Sequence, residues 1–175
     1  VGAFLRHFAA LILLLWLTFG LCFGLMRVPD TAMVPALHAG DLILYERRPR
    51  QIRSGEVLVY EVQNTVHLGR VAAQAGDVVA VTPDAALMVN GSTVLETDIY
   101  FATPAFAGGP KYPLTLAQNE LFLLADHRTD AYDSRSFEAV PAADGRDAER
   151  AAHQHGVGAQ GQHLEHVHAV THGAV

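Results

Sequence analysis

Cysteine and lysine are almost missing from this chain: among its 175 residues each occurs once, as Cys22 and Lys111. A lone cysteine excludes an intrachain disulfide and a zinc site of the cysteine type, and it leaves the redox compartment unreadable. Positive charge is short as well, with 12 Lys and Arg against 18 Asp and Glu. The formal net charge of -6 argues against nucleic-acid binding, because phosphate recognition wants a basic face. Serine is absent before Ser54, and the only hydroxyls that precede Tyr45 are those of Thr18 and Thr31. The first residue is Val1, which reads as a start codon translated literally or as an incomplete N-terminus.

Charge is missing altogether from Phe8 to Met26, a run of 19 residues. A helix rises 1.5 Å per residue, so about 20 apolar residues cross a hydrocarbon core of ~30 Å. A cleavable signal peptide would have an apolar region of only about 7–15 residues followed by small residues at its cleavage site. Here the run is longer and GLMRVPD follows, so residues 1–27 are expected to be a permanent membrane anchor. A buried helix of a soluble domain fits less well, since nothing else in the chain is apolar enough to surround it. Arg6 and Arg27 flank the run on opposite sides, which nearly ties the charge rule for orientation.

Beyond Arg27 the pattern changes to short β-branched or aromatic runs: DLILYER, EVLVYEV, DVVAVT, LMVNGSTVL and ELFLLAD. Asn90-Gly91 is the clearest hairpin signal, because that pair tolerates the positive φ of a type I′ turn. Residues 28–140 are therefore expected to form a mainly β domain, a partly closed barrel, with PAFAGGPKYP (104–113) as a long loop. Residues 141–175 are a low-complexity His/Ala/Gly-rich tail with no strand pattern. The tail holds His153, His155, His163, His166, His168 and His172. A frameshift that replaced the true C-terminus is the preferred reading. A solvated, disordered extension comes second and a metal-binding tract last.

Four blocks, taken in order behind the apolar run, resemble the type I signal peptidase family over roughly residues 8–140. PDTAMVPALHAGD is similar to that family's P-S-G-S-M-x-P-T-L-x-x-G-D through Pro29, Met33, Pro35, Leu37, Gly40 and Asp41. HLGRVAAQAGD matches at Arg70, Val71, Gly76 and Asp77, and LMVNG matches a short strand and turn. ELFLLADHRTDAYDSRSF matches at Phe122, Leu124, Asp126, Arg128, Asp133, Ser134 and Arg135. The resemblance implies a signal-peptidase-like partly closed β-barrel behind one transmembrane helix, on the extracytoplasmic side of a plasma membrane, with no cofactor and no metal.

That family hydrolyses peptides with a serine nucleophile and a lysine base that must be desolvated to stay neutral. At the serine position stands Ala32 and at the lysine position Gly69. Asp30 replaces the serine that helps donate to the oxyanion; a carboxylate would accept instead and repel developing negative charge. Ala131 replaces the serine that orients the lysine. Met33, Pro35, Arg70, Asp126, Arg128, Asp133, Ser134 and Arg135 remain, and the resemblance gives them groove-lining and structural roles. His127 stands for an asparagine and Glu138 for a glycine. A substitute pair of Thr31 and His67 is disfavoured, because on a strand Thr31 faces away from Ala32.

The leading expectation is a non-catalytic relative that binds a secreted precursor or signal peptide, with pilin and sortase as candidate partners. The alternatives are an active signal peptidase with non-standard catalytic residues and a degenerate or misread gene product.

Overall fold

The computed structural model describes residues 2–47, 51–129, 131–142 and 167–170. Helix α1 covers Gly2–Cys22, buries none of its residues, and is long and apolar enough to cross a membrane by length and composition. The helix stops earlier than the apolar run does, since Phe23–Met26 belong to strand β1 (Phe23–Arg27). This strand pairs antiparallel with β2 (Leu42–Glu46), placing Phe23 opposite Glu46 and Arg27 opposite Leu42. Two features end the helix there. Gly24 faces Tyr45, whose ring lies where a β-carbon at position 24 would be. Arg47 donates its backbone N–H to the Cys22 carbonyl and its Nε–H to the Phe23 carbonyl, each at 2.8 Å.

The remaining elements follow as short strands. They are β3 (Val57–Val62), β4 (Thr65–Gln74), β5 (Val78–Val81), β6 (Leu87–Val89), β7 (Ser92–Thr93), β8 (Leu114–Thr115) and β9 (Glu120–Leu124). Helix α2 (Ser134–Phe137), β10 (Val140–Pro141) and β11 (Val167–Val170) complete the chain. A seven-stranded curled sheet runs β1-β2-β11-β3-β4-β9-β10, and a four-stranded sheet runs β7-β6-β5-β8. This is the mainly β, half-barrel architecture expected from the pattern of runs. Asn90 and Gly91 take φ of 53° and 78° between β6 and β7, as the hairpin signal requires. Gln63 and Asn64 do the same between β3 and β4, with φ of 51° and 62°. Residues 104–113 contain no strand or helix.

The tail contributes one strand. Val167–Val170 form β11, its backbone pairing with β3 and touching β2 at Ala169 opposite Glu46, although Val-His-Ala-Val carries no strand signal. Backbone pairing needs only open ladder edges, which β2 and β3 offer it. Most of the tail, including His153, His155, His163, His166 and His172, lies outside the described residues.

Val57–Tyr60 of VLVYEV and Leu121–Leu124 of ELFLL are apolar without alternation because both faces of their strands are covered. From β3, Val57 and Val59 point into one cluster with Val28, Met33, Leu37, Ile43 and Leu68. Leu58, Tyr60 and Val62 point the other way, against Val71, Leu121, Leu123 and Val140. From β9, Phe122 and Leu124 enter a third cluster with Val79, Leu87 and Leu116 beneath the smaller sheet. Each fully buried Leu or Val contributes about 1.5–3 kcal/mol, so these clusters hold the two sheets and the 28–37 segment in register.

Candidate active site

The segment carrying Ala32 is a run of turns from Asp30 to Leu37, not a strand. The alternation used above to aim Thr31 away from Ala32 therefore does not apply; Thr31 is exposed in a turn. The segment is pinned at both ends. Val28 donates to the Asp41 carbonyl at 2.8 Å, Gly40 to the Val28 carbonyl at 2.9 Å, and His38 N–H to Asp41 Oδ2 at 2.8 Å. Met33, fully buried, fixes the middle by filling the core between Val28 and Leu68. Pro35, joined to Val34 by a cis peptide bond, is exposed.

Both backbone groups of Ala32 are engaged. Its N–H donates to Asp30 Oδ1 at 2.9 Å, and its carbonyl accepts from the His127 N–H at 2.8 Å. The His127 ring meets Phe101 edge-on at 4.4 Å. The Ala32 amide is thus already engaged by the Asp30 carboxylate.

Gly69 lies buried on β4, opposite Leu58, with Tyr60 opposite His67 on the same pair of strands. A β-carbon at position 69 would stand 3.0 Å from Tyr60 Cε1, 3.2 Å from Leu123 Cβ and 3.4 Å from Tyr60 Oη. The space a lysine side chain would enter is thus filled by the Tyr60 ring, a cross-strand aromatic laid over a glycine. Tyr60 is only 1 % exposed, and its hydroxyl has no hydrogen-bond partner among the described residues. Burial, helped by the charges of Asp133 and Asp30, pushes its phenol well above the usual range, so it stays protonated.

Around Tyr60 stands a group of rings: His67 at 5.7 Å, Phe137 at 6.1 Å, and Tyr132 at 5.6 Å from His67 and 5.1 Å from Phe137. Burial lowers the His67 pKa, with Asp30 opposing it, so the imidazole is neutral at pH 7. β9 pairs with β4 only from Arg70 to Gln74, across a bulge between Val71 and Ala73. Among the described residues, Thr65–Gly69 are therefore paired on one side only, by β3.

Three arginines frame this region, each closed by its own acceptors. Arg70 forms a bidentate pair with Asp126 at 2.8 and 2.6 Å and donates to the Gly55 carbonyl; its hydrogen bond to Asp126 raises its pKa further. Arg128, fully buried, reaches the Ala125 carbonyl, Thr103 and Glu96 at 2.6–2.8 Å. Arg135 pairs with Asp133 at 2.9 and 2.7 Å, lies over the Phe106 ring and donates to the Pro104 carbonyl. Asp133 also caps α2 through the Arg135 N–H and accepts from Ala125, while Ser134 Oγ accepts from Leu123. Ala131 is half-buried beside Tyr132.

Of the candidate positions, Ala32, Gly69 and Ala131 carry no polar side-chain group, and Asp30 carries a carboxylate. Tyr60, Tyr132, Phe137, Glu96 and Thr103 belong to the same region and were not singled out above. A glycine in the middle of a strand marks close approach by another group, so Gly69 signals a covering neighbour, but only the pairing of β3 with β4 shows that the neighbour is Tyr60.

A family model described as "Signal peptidase, peptidase S26" matches residues 2–148. A protein of Synechocystis sp. named "Probable signal peptidase I-2" is 26 % identical over 125 residues, covering 65 % of this chain and 55 % of its own length. The chain thus spans little more than half of that relative. The helix-then-half-barrel order, the arginine frame and this match along most of the chain lead to one conclusion: it belongs to the signal peptidase S26 family.

Proposed function

We propose that this chain binds the extended segment of an exported precursor without cutting it. The observation that carries this reading is the double occupancy of the site. Tyr60 lies where a base would stand on β4, and the Asp30 carboxylate already takes the Ala32 amide. The binding element is the stretch Thr65–Gly69, whose ladder groups are, among the described residues, paired with β3 alone and can add a peptide strand. Helix α1 holds the domain to a plasma membrane by a single span, with the barrel on the extracytoplasmic side. Secreted precursors and their signal peptides are the partner class, and a pilin handled beside a sortase is a candidate within it.

The test is a cleavage and binding assay on the full chain in detergent or proteoliposomes, with a signal-peptide-bearing precursor read by mass spectrometry. Association without a specific cut is expected. A specific cut by the unaltered protein would overturn the reading and direct attention to Thr31 and to His67, whose neutral imidazole is able to accept a proton.

A further inference from the structure

Strand β11 stands in a gap between two ladder edges that the rest of the sheet builds without it. β2 is held on its other side by β1, and β3 on its other side by β4. Both send side chains into one buried cluster, Ile43 from β2 and Val57 and Val59 from β3. The family match ends at residue 148, so the gap lies within the matched residues and the strand that fills it lies outside them. The filling is incomplete. Ala169 faces both Leu58 of β3 and Glu46 of β2, and β11 runs antiparallel to both strands. Val62 lies four residues beyond Leu58, and Leu42 four before Glu46, so a strand spanning both edges has nine positions, of which β11 takes four. Among the described residues, Leu42–Leu44 are paired along the ladder with β1 alone. Leu42 and Leu44 are 59 % and 47 % exposed, beside the path that such a strand would follow.

We propose that the gap between β2 and β3 is a strand-accepting site, in which an extended apolar segment of a partner polypeptide displaces Val167–Val170 and pairs with both edges. A strand between two neighbours has ladder partners on both sides, where a strand added at an edge has them on one. The lining sets the chemistry of the segment. Residues of one parity face the cluster of Ile43, Val57 and Val59, and those of the other lie beside Leu44 and Leu58. Both sides are apolar, so the segment is apolar without alternation, uncharged and free of proline. Filling all nine positions makes ladder pairs that β11 leaves unmade and covers Leu42 and Leu44. The tail strand, tethered to the same chain, is the competitor that such a segment must outbid.

The test uses the full chain in detergent and a synthetic peptide of nine Val, Ile and Leu residues with a lysine beyond each end for solubility. Binding is followed by fluorescence anisotropy, and its place by hydrogen exchange read by mass spectrometry. The peptide is expected to bind and to slow exchange in Leu42–Glu46. The same peptide N-methylated at alternate residues keeps its side chains but loses ladder donors, and should not bind. Ala169→Pro removes a ladder donor from β11 and should tighten binding of the unmethylated peptide about tenfold, as for a gap that its own strand leaves open about one time in ten. Unslowed exchange in Leu42–Glu46, equal binding of the methylated peptide, or an affinity unchanged by Ala169→Pro overturns the site. Dimers seen by light scattering that vanish in Ala169→Pro assign the gap to the tail of a second copy and overturn it too. The site does not depend on the binding role above: slowed exchange confined to Thr65–Gly69 supports that role and overturns this one.

Discussion

Restoring a side chain at position 69 tests directly whether Tyr60 fills the base's place. A β-carbon there would lie 3.0 Å from Tyr60 Cε1 and 3.2 Å from Leu123 Cβ. Carbon atoms rest comfortably at about 3.5–4.0 Å, so neighbours must retreat by about half an ångström. Leu123 and Tyr60 are both buried in one cluster and have little room to do so. Overpacking of this kind places Gly69→Ala at about 2 kcal/mol of lost stability. Tyr60→Leu should cost about 3 kcal/mol by itself, through lost ring contacts and the space left behind. In that background Gly69→Ala meets no ring, and the tight contact with Leu123 Cβ that remains roughly offsets the ~0.5 kcal/mol gained by removing a flexible glycine from a strand. The coupling between the two substitutions is then about 2 kcal/mol. The assay is urea unfolding of the full chain in detergent, followed by tyrosine fluorescence or far-ultraviolet dichroism. The single tryptophan, Trp16, lies in α1 and does not report on the barrel. An equal cost for Gly69→Ala in both backgrounds refutes the assignment. A positive result carries a corollary: Ala32→Ser with Gly69→Lys will not restore cleavage unless position 60 is opened as well.

Removing one partner of the Asp133–Arg135 pair strands the other in the interior, since both side chains are fully buried. Arg135→Met should lower stability by about 3–5 kcal/mol in the same unfolding assay, and a loss under about 1 kcal/mol would contradict a structural role. His67 gives the second expectation. Its folded pKa lies below the ordinary value of about 6.5, so its contribution to stability is complete above that pH. The contribution is lost progressively as pH falls from about 6.5 towards and through the folded value. Midpoints measured across this range should drop faster for the unaltered protein than for His67→Gln, and parallel curves would show that His67 is not half-buried.

The β runs, the Asn90-Gly91 hairpin and the arginine-bearing block were readable because each rests on local chemistry: alternation, a positive-φ pair, charged residues close in sequence. The end of α1 was not, since Phe23–Met26 are apolar enough for either helix or strand, and only the pairing with β2 decides. Strand alternation was applied to Thr31 and Ala32, whereas the turns that hold them depend on Met33 reaching a core built by β3 and β4. The partners of Arg128 stand 25 and 32 residues away, and no spacing rule brings Thr103 and Glu96 to it. Gly69 read as an empty position when it is a covered one, and the covering ring belongs to the neighbouring strand.

The junction between α1 and β1 has a mechanical consequence. No linker separates Cys22 from Phe23, and Arg47 ties both carbonyls to the far end of β2. A chain hung on a flexible tether sweeps a volume that grows with tether length. Here the helix and the sheet turn together, as a lever with no swivel. β1 extends about 3.3 Å per residue, so the Asp30–Ala32 turn is held within a few nanometres of the helix end at a height that does not fluctuate freely. Any tilt of the helix is therefore passed to that turn as an angle, without altering a single contact inside the barrel.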